Sequence, residues 1–326
     1  MNKNLKLFLT AFVIVVPLFW GLNALEGELR NFFFWHEMAK NPQITAAQAN
    51  QLAFEERIRN LKPIRNKRVE DLEIGAKSAM SFYISRQGEE RILFEKYGDW
   101  RLPIASLTKL MTANVVLEHY DLSKEIRISK EAVNQEENLG KLEVGELLSV
   151  EYLLYPLLME SSNDAAFSLA NDYDGMAQED FVGLMNREAQ RLNLQNTHFV
   201  NPSGLDPEEE EDSEKINYST INYSNTIDLI TLVKELLNKP LIWGILSTPK
   251  LNLYGPELIN SNKLLGEFSS IIGGKTGYTE KALGCFILLS EAPKSKGYLV
   301  NVILGTGDRF GEMEKLLGWL RTAYIW

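Results

Sequence analysis

Runs of residues that favour β-structure, separated by polar turns, predict β-strands in several stretches of this chain. Residues 78–85 and 91–96 are β-type runs, and the polar residues 86–90 between them are typical of a turn. We therefore expect a β-hairpin near the start of the folded domain. Strand patterns return late in the sequence, at residues 270–279, 283–290 and 298–305.

Between these two groups of strands, apolar residues recur at helical spacing from residue 106 to about residue 238. Residues 149–158 and 181–192 show this period most clearly. A final amphipathic helix is predicted where apolar side chains again recur at helical spacing, at Met313, Leu316, Leu317, Leu320 and Tyr324.

The order of these elements predicts the fold class α/β, in its α+β form. Short turns between the last three strands favour antiparallel pairing. We expect one antiparallel sheet that the first hairpin completes, flanked by helices, with a helical subdomain between the two groups of strands. The active site is expected in the cleft between the sheet and that subdomain.

The N-terminal segment is predicted to reach a membrane. Lys3 and Lys6 precede an apolar run that begins at Leu7 and continues to Leu25. A cleaved signal peptide is the alternative, but its candidate cleavage site, residues 22–24, carries a leucine where a small residue is needed. We favour an uncleaved anchor over residues 1–25, which places the bulk of the chain outside the cytoplasmic membrane of a bacterial cell.

Residues 26–75 are predicted to form a juxtamembrane stalk, and residues 76–326 the catalytic domain. Thr45 and Gln48 fit a capping box at the start of a polar helix, which Pro63 would end.

Composition excludes several classes of function. The net charge is −10, which argues against a nucleic-acid partner. The only cysteine, Cys285, excludes an internal disulfide, and with three histidines a histidine-rich metal centre is not expected. The acidic residues 208–212 lack the spacing of a calcium loop, and we interpret them as a solvated loop. We therefore predict no metal and no cofactor.

Three short motifs carry the candidate chemistry. They are Ser106-Leu107-Thr108-Lys109, Ser161-Ser162-Asn163 and Lys275-Thr276-Gly277. Each alone has an ordinary structural interpretation, as a helix cap beside a surface lysine or as the end of a strand. Together and in this order, they closely resemble the three motifs that are typical of penicillin-binding proteins and class A β-lactamases.

The first motif suits nucleophilic catalysis. Ser106 and Lys109 are three residues apart, so on a helix they share a face and can form a hydrogen bond. A serine becomes a strong nucleophile only when a base takes its proton. Lys109 can act as that base if its pKa falls, which burial and a second cation, Lys275, would both promote.

The sequence resembles the D-alanyl-D-alanine carboxypeptidases, the low-molecular-mass penicillin-binding proteins, over roughly residues 76–326. Besides the trio, the resemblance rests on the segments around it, at residues 103–113, 196–206 and 274–279. It implies a serine peptidase that removes the terminal D-alanine from peptidoglycan stem peptides and that β-lactam antibiotics acylate.

The resemblance also implies a role for each motif residue. Ser106 is the expected nucleophile and Lys109 its base, Ser161 relays a proton to the leaving amine, and Asn163 orients Lys109 and the substrate amide. On the third strand, Lys275 and Thr276 would bind the substrate carboxylate, and Gly277 would let the substrate approach. The amides of Ser106 and Tyr278 would form the oxyanion hole.

Three other functions remain open at this stage. A D,D-endopeptidase that cuts cross-links would need the same catalytic groups. A β-lactamase of class A needs an added glutamate to activate water, and no suitable segment lies between the second and third motifs. A non-catalytic wall-binding protein is disfavoured because all three motifs are intact.

Overall fold

A computed structural model describes residues 63–136, 141–207, 216–253 and 257–326. The predicted anchor at residues 1–25, most of the predicted stalk and the acidic residues 208–212 lie outside the described residues. Within the described ranges, no helix is long and apolar enough to cross a lipid bilayer.

The described chain contains thirteen short or long β-strands. They are β1 (Ile64–Arg65), β2 (Ser78–Ser85), β3 (Glu90–Lys96), β4 (Leu102–Pro103), β5 (Glu125–Arg127), β6 (Leu147–Ser149), β7 (Tyr223–Ser224), β8 (Lys250–Leu251), β9 (Leu258–Ile259), β10 (Ile271–Thr279), β11 (Leu283–Glu291), β12 (Gly297–Thr306) and β13 (Tyr324–Ile325).

Eight α-helices accompany these strands in the described ranges. They are α1 (Lys109–His119), α2 (Lys130–Val133), α3 (Val150–Met159), α4 (Asn163–Asn171), α5 (Gln178–Arg191), α6 (Thr226–Leu236), α7 (Pro240–Leu246) and α8 (Arg309–Ala323).

The five long strands form one antiparallel sheet in the order β10-β11-β12-β2-β3. The hairpin β2–β3 thus completes a sheet whose other strands come from the end of the chain. This confirms the predicted α/β (α+β) fold with helices inserted between two groups of strands.

Side chains on the central strands alternate between two apolar cores. On β12, Val300, Val302 and Leu304 face the core shared with the helices α1 to α7, whereas Leu299 and Ile303 face the core under α8. Because both faces are covered, these strands are apolar at almost every position, which is why their sequence shows a run more than an alternation.

Helix α1 lies at the centre of the helical part of the molecule. All eight residues from Lys109 to Val116 are buried, so the helix is surrounded by protein on every side. Such a helix has little amphipathic period, and it presents the lysine of the first motif to the interior instead of to solvent.

The compact unit begins at Pro63, whereas the sequence placed residues 26–75 in a stalk. Strand β1 pairs with β13 in the register Ile64↔Ile325, and the Arg65 guanidinium lies 5.0 Å from the centre of the Trp319 ring. Residues 63–75 therefore pack beside α8. The pairing also ends α8 at Ala323, so Tyr324, predicted on the helix, lies in β13 instead.

Candidate active site

Ser106 lies in a single turn of 3-10 helix, Ala105–Thr108, that leads directly into α1. Ala105 has a φ of 46°, and no side chain caps the turn, so Ser106 does not serve as a helix cap. The turn places the Ser106 hydroxyl oxygen 2.9 Å from the Lys109 amine nitrogen. The predicted hydrogen bond between Ser106 and Lys109 is therefore present in the folded chain.

The Lys109 amine is wholly buried and contacts two further oxygens. Its nitrogen lies 2.7 Å from Asn163 Oδ1 and 2.7 Å from the Ser203 carbonyl. The Asn163 amide is oriented by a second hydrogen bond, from Nδ2 to the Glu136 carbonyl at 2.9 Å. Because Asn163 Oδ1 and the carbonyl can only accept, a neutral amine gives them its two hydrogens and turns its lone pair toward Ser106.

Ser161 and Lys275 form a second serine–lysine pair. Ser161 has a φ of 66°, and Lys275 Nζ donates to its hydroxyl oxygen at 2.8 Å and to the Thr276 carbonyl at 2.8 Å. The helix cap of α4 is the neighbouring Ser162, whose hydroxyl accepts from the Ala165 amide. Ser161 is thus released from a capping role and held toward the cleft in a backbone conformation that non-glycine residues rarely adopt.

Burial and, to a smaller extent, the nearby charge of Arg309 together lower the pKa of Lys275 from 10.5 to about 7. Lys275 is only 1% exposed. Its amine therefore lies behind Ser161 and Thr276 and does not form part of the cleft surface.

The two pairs meet at a cavity of about 390 Å³, which the sheet and the helical part of the chain both line. The side chains of Lys109 and Lys275 lie behind its wall. Its lining contains the other predicted site residues, together with residues that the sequence did not indicate: Ser106, Glu160, Ser161, Asn163, Gly204, Leu205, Ser261, Thr276, Gly277, Tyr278, Thr279 and Arg309.

Strand β10 passes close to the nucleophile. A Cβ added to Gly277 would lie 3.0 Å from the Ser106 amide nitrogen and 3.1 Å from the Ile104 carbonyl oxygen. A side chain at this position would crowd the amide of Ser106, which explains why glycine is needed here.

Comparison with known proteins now decides the family. The family model described as D-alanyl-D-alanine carboxypeptidase matches residues 65–307. The chain belongs to the D-alanyl-D-alanine carboxypeptidase family. It is 30% identical over 271 residues to the carboxypeptidase DacF of Bacillus subtilis, a match that covers 79% of this chain and 65% of DacF. It is also 30% identical over 255 residues to a D-alanyl-D-alanine endopeptidase of Pseudomonas aeruginosa, covering 75% and 78% of the two chains.

A solved structure shows the same fold. A penicillin-binding protein of Listeria monocytogenes, determined with cefotaxime bound, is 30% identical and superposes with a TM-score of 0.64, covering 77% of this chain and 99% of that one. The carboxypeptidase family is a family of serine peptidases, in agreement with the class of enzyme expected from the motifs.

Arg309 is a site residue of this family member that the sequence analysis missed. It begins α8, lines the cavity and points Nη1 toward the Gly277 carbonyl at 3.4 Å. Its Nε is buried and has no hydrogen-bond partner among the described residues, and burial lowers its pKa. Because it follows strand β12 and not a motif, only the folded sheet brings it to Gly277.

Ser261 and Glu160 were also missed, and they build one wall of the cavity. Ser261 shares a 2.7 Å hydrogen bond with Thr276 between their hydroxyl oxygens. The Glu160 carboxylate accepts from the Ile259 amide at 3.1 Å and pairs with Lys141 at 3.2 Å, while its other oxygen is buried with no partner in the described parts of the chain. Glu160 directly precedes Ser161, which is the only signal in the sequence.

Other residues singled out in the sequence lie away from this cavity. Cys285 is buried in β11, and burial raises the pKa of its thiol to about 12, which keeps it neutral. Among the described residues, no group of three or more His, Cys, Asp or Glu side chains is placed to hold a metal ion.

Proposed function

We propose that this protein is a serine D-Ala-D-Ala carboxypeptidase that trims peptidoglycan stem peptides through an acyl-enzyme on Ser106. The observation that carries the proposal is the buried Lys109 amine, 2.9 Å from the Ser106 hydroxyl and held by two oxygens that can only accept hydrogen bonds. This arrangement gives serine a base without a histidine.

The reaction follows from the two serine–lysine pairs. Ser106 Oγ attacks the carbonyl carbon of the penultimate D-alanine, and its proton passes to the Lys109 amine. The amides of Ser106 and Tyr278 stabilise the oxyanion. The carbon–nitrogen bond then breaks as Ser161 relays the proton from Lys109 to the departing amine, with Lys275 hydrogen-bonded behind Ser161. Water hydrolyses the ester and restores Ser106.

Recognition of a free C-terminus is assigned to the opposite wall of the cleft. Thr276, Ser261 and Arg309 line the cavity, and the Arg309 guanidinium can pair with a carboxylate there. Lys275 supports the same carboxylate through its charge from behind the wall. The role proposed for Lys275 differs from the direct contact with the carboxylate that the sequence led us to expect, because this side chain is almost fully buried.

Cleavage of cross-links is the second candidate activity. It is favoured by one observation, the 30% identity to a relative named D-alanyl-D-alanine endopeptidase. Product analysis on an uncross-linked pentapeptide and on a cross-linked dimer separates the two activities, since only the endopeptidase releases monomers from the dimer.

We also propose that the catalytic domain works outside the cytoplasmic membrane, held there by residues 1–25. The support is the basic and then apolar N-terminal sequence, together with a family whose substrate is the cell wall.

The assignment of Ser106 is tested by intact-protein mass spectrometry after penicillin treatment. We expect one penicilloyl adduct on the wild type, none on Ser106→Ala, and an unchanged adduct on the control Ser123→Ala, which alters an exposed serine of the helical part. An adduct that persists on Ser106→Ala would overturn the mechanism.

A further inference from the structure

The turn between β3 and β4 displays two stacked aromatic rings to solvent. The rings of Tyr97 and Trp100 are nearly parallel, with an interplanar angle of 11° and centroids 4.2 Å apart. Tyr97 is 53% exposed and Trp100 is 48% exposed. Large aromatic groups that remain this exposed and lie together often mark a binding surface. We call this pair the aromatic platform.

The platform is held rigidly by buried hydrogen bonds. The Tyr97 carbonyl accepts from the Ser78 hydroxyl at 2.9 Å, and the Gly98 carbonyl accepts from the Thr226 hydroxyl at 3.1 Å. Tyr97 adopts a φ of 48°, a conformation that costs energy in a residue with a side chain. The strained turn thus presents both rings to solvent, and the rings are already ordered before any ligand binds.

We propose that the aromatic platform binds the glycan strand of peptidoglycan, by stacking the face of an N-acetylated sugar on the outer face of the Tyr97–Trp100 ring stack. A pyranose ring has an apolar C–H face, which matches the exposed face of an aromatic ring. The inference rests on the proposed function only in the choice of polymer.

The charges around the platform favour a neutral sugar over a lipid surface. Glu95, Lys96, Asp99 and Arg101 supply two charges of each sign. Proteins that bind anionic bilayers through such segments carry an excess of lysine and arginine, which is absent from residues 95–101.

The platform is close enough to the nucleophile to act on the same polymer. Trp100 precedes Ser106 by six residues, so their Cα atoms lie within roughly 20 Å of each other, even if the chain between them were fully extended. A glycan strand held on the platform would keep its own stem peptides near the cleft and raise their local concentration.

The test measures sugar binding without catalysis. Isothermal titration calorimetry uses the full chain carrying Ser106→Ala, with the β-1,4-linked tetramer of N-acetylglucosamine as the probe. We expect Trp100→Ala to weaken binding by roughly tenfold, the upper end for one aromatic stacking contact, and Trp100→Phe to restore most of it. The matched control is Tyr298→Ala, which removes an exposed aromatic ring of β12 and should bind as tightly as its parent.

Two results would overturn the proposal. One is equal affinity of the parent and Trp100→Ala for the tetramer, including no measurable binding by either. The other is a loss on Trp100→Ala that appears with vesicles of phosphatidylglycerol and phosphatidylcholine but not with the sugar, which would assign the rings to a membrane. Since the nucleophile is absent throughout, failure here is independent of the penicilloylation of Ser106 that tests the proposed function.

Discussion

Two buried lysines each contact one serine of the cleft, and their surroundings differ. Lys109 Nζ lies within hydrogen-bond distance of Ser106 Oγ, Asn163 Oδ1 and the Ser203 carbonyl. Lys275 lies near Arg309 and has its pKa lowered to about 7, so its charge is present at acidic pH and lost at alkaline pH. The two side chains have the same chemistry, and only the fold gives them the different roles that we propose, base and electrostatic support.

The lowered pKa of Lys275 predicts an alkaline limb in the activity profile. For a peptide with a free carboxylate, kcat/KM should fall as the pH rises through about 7, because the free enzyme loses the Lys275 charge. Lys275→Arg stays charged and should shift this limb to higher pH, although its overall rate will be lower. A wild-type profile that stays flat between pH 6 and about 9 in steady-state assays would contradict this assignment.

The same shift affects stability in a defined direction. The unfolded state holds the Lys275 proton up to about pH 10.5, whereas the folded state releases it near 7. Between these values the unfolded chain binds more protons, so this group makes the free energy of unfolding increase with pH. Below pH 7 both states are protonated, and the full cost of the buried charge remains.

Glu160 is predicted to position the cavity wall through its charge. In Glu160→Gln the hydrogen bond from Ile259 can persist, but the ion pair with Lys141 is lost. We expect KM for a D-Ala-D-Ala peptide to rise by about tenfold, with a smaller change in kcat, because the segment that leads from Ile259 to Ser261 is held less firmly.

The matched control for Glu160→Gln is Glu257→Gln, which neutralises a half-exposed carboxylate near Ile259 that does not line the cavity. Equal kinetic constants for the two variants would remove any special role for Glu160. The charge of this residue, and not its hydrogen bond, is thereby tested.

At the scale of elements, the sequence predicts the long strands from their β-type runs and the last helix from the spacing of its apolar residues. It does not predict the short strand pairings. The strands β2, β3, β10, β11 and β12 all coincide with predicted runs to within a few residues. Two-residue strands such as β1 and β13 have no period to detect, since their pairing depends on contacts between distant parts of the chain.

The candidate site was predictable to the same extent. The motif residues were found because each motif places its reactive side chains only a few positions apart in the sequence. Arg309, Ser261 and Glu160 reach the cavity only through the order of the strands and the contacts between loops. Only the resemblance assigned Ser161 to the site, because by its position alone Ser161 could also have capped the next helix, a place that Ser162 takes in the structure.

The loop at residues 201–205 packs so closely against the turn that holds Ser106 that adding one methyl group to Gly204 should disturb the contact. Gly204 has a φ of 87°, and an added Cβ would lie 2.0 Å from the Ala105 carbonyl oxygen. We expect Gly204→Ala to slow penicillin acylation at least tenfold and to lower the melting temperature, because the loop that supplies the Ser203 carbonyl must move.

Gly88→Ala separates backbone strain from steric contact in that experiment. Gly88 has a similar φ of 82°, but an added Cβ meets nothing within 4 Å. It should lose about 1 kcal/mol of stability and keep the wild-type rate of acylation. If both variants acylate alike, the close approach at Gly204 does not support catalysis.

On the scale of the whole molecule, this acidic protein places several basic side chains at one cleft. The net charge is −10, yet Lys109, Lys275 and Arg309 all lie at or directly behind the cavity wall. Such a local positive region favours a substrate that ends in a carboxylate, despite the overall negative charge.

The predicted anchor belongs to this scale as well. N-terminal sequencing of the mature protein from membranes should find the original start of the chain, because residues 22–24 do not form a good cleavage site. A mature start near residue 25 would show a cleaved signal and would contradict the anchor at residues 1–25.

The pairing of β1 with β13 places the beginning and the end of the compact unit side by side. A short linker from Trp326 to Pro63 could therefore close the domain into a circle, which could be reopened at the turn around Gly175, where the backbone is exposed. In that permuted protein Lys275 would precede Ser106 and Ser161 along the chain, although every contact in the cleft would be kept. The order of the three motifs identifies the family in a sequence, but the chemistry needs only their meeting in space.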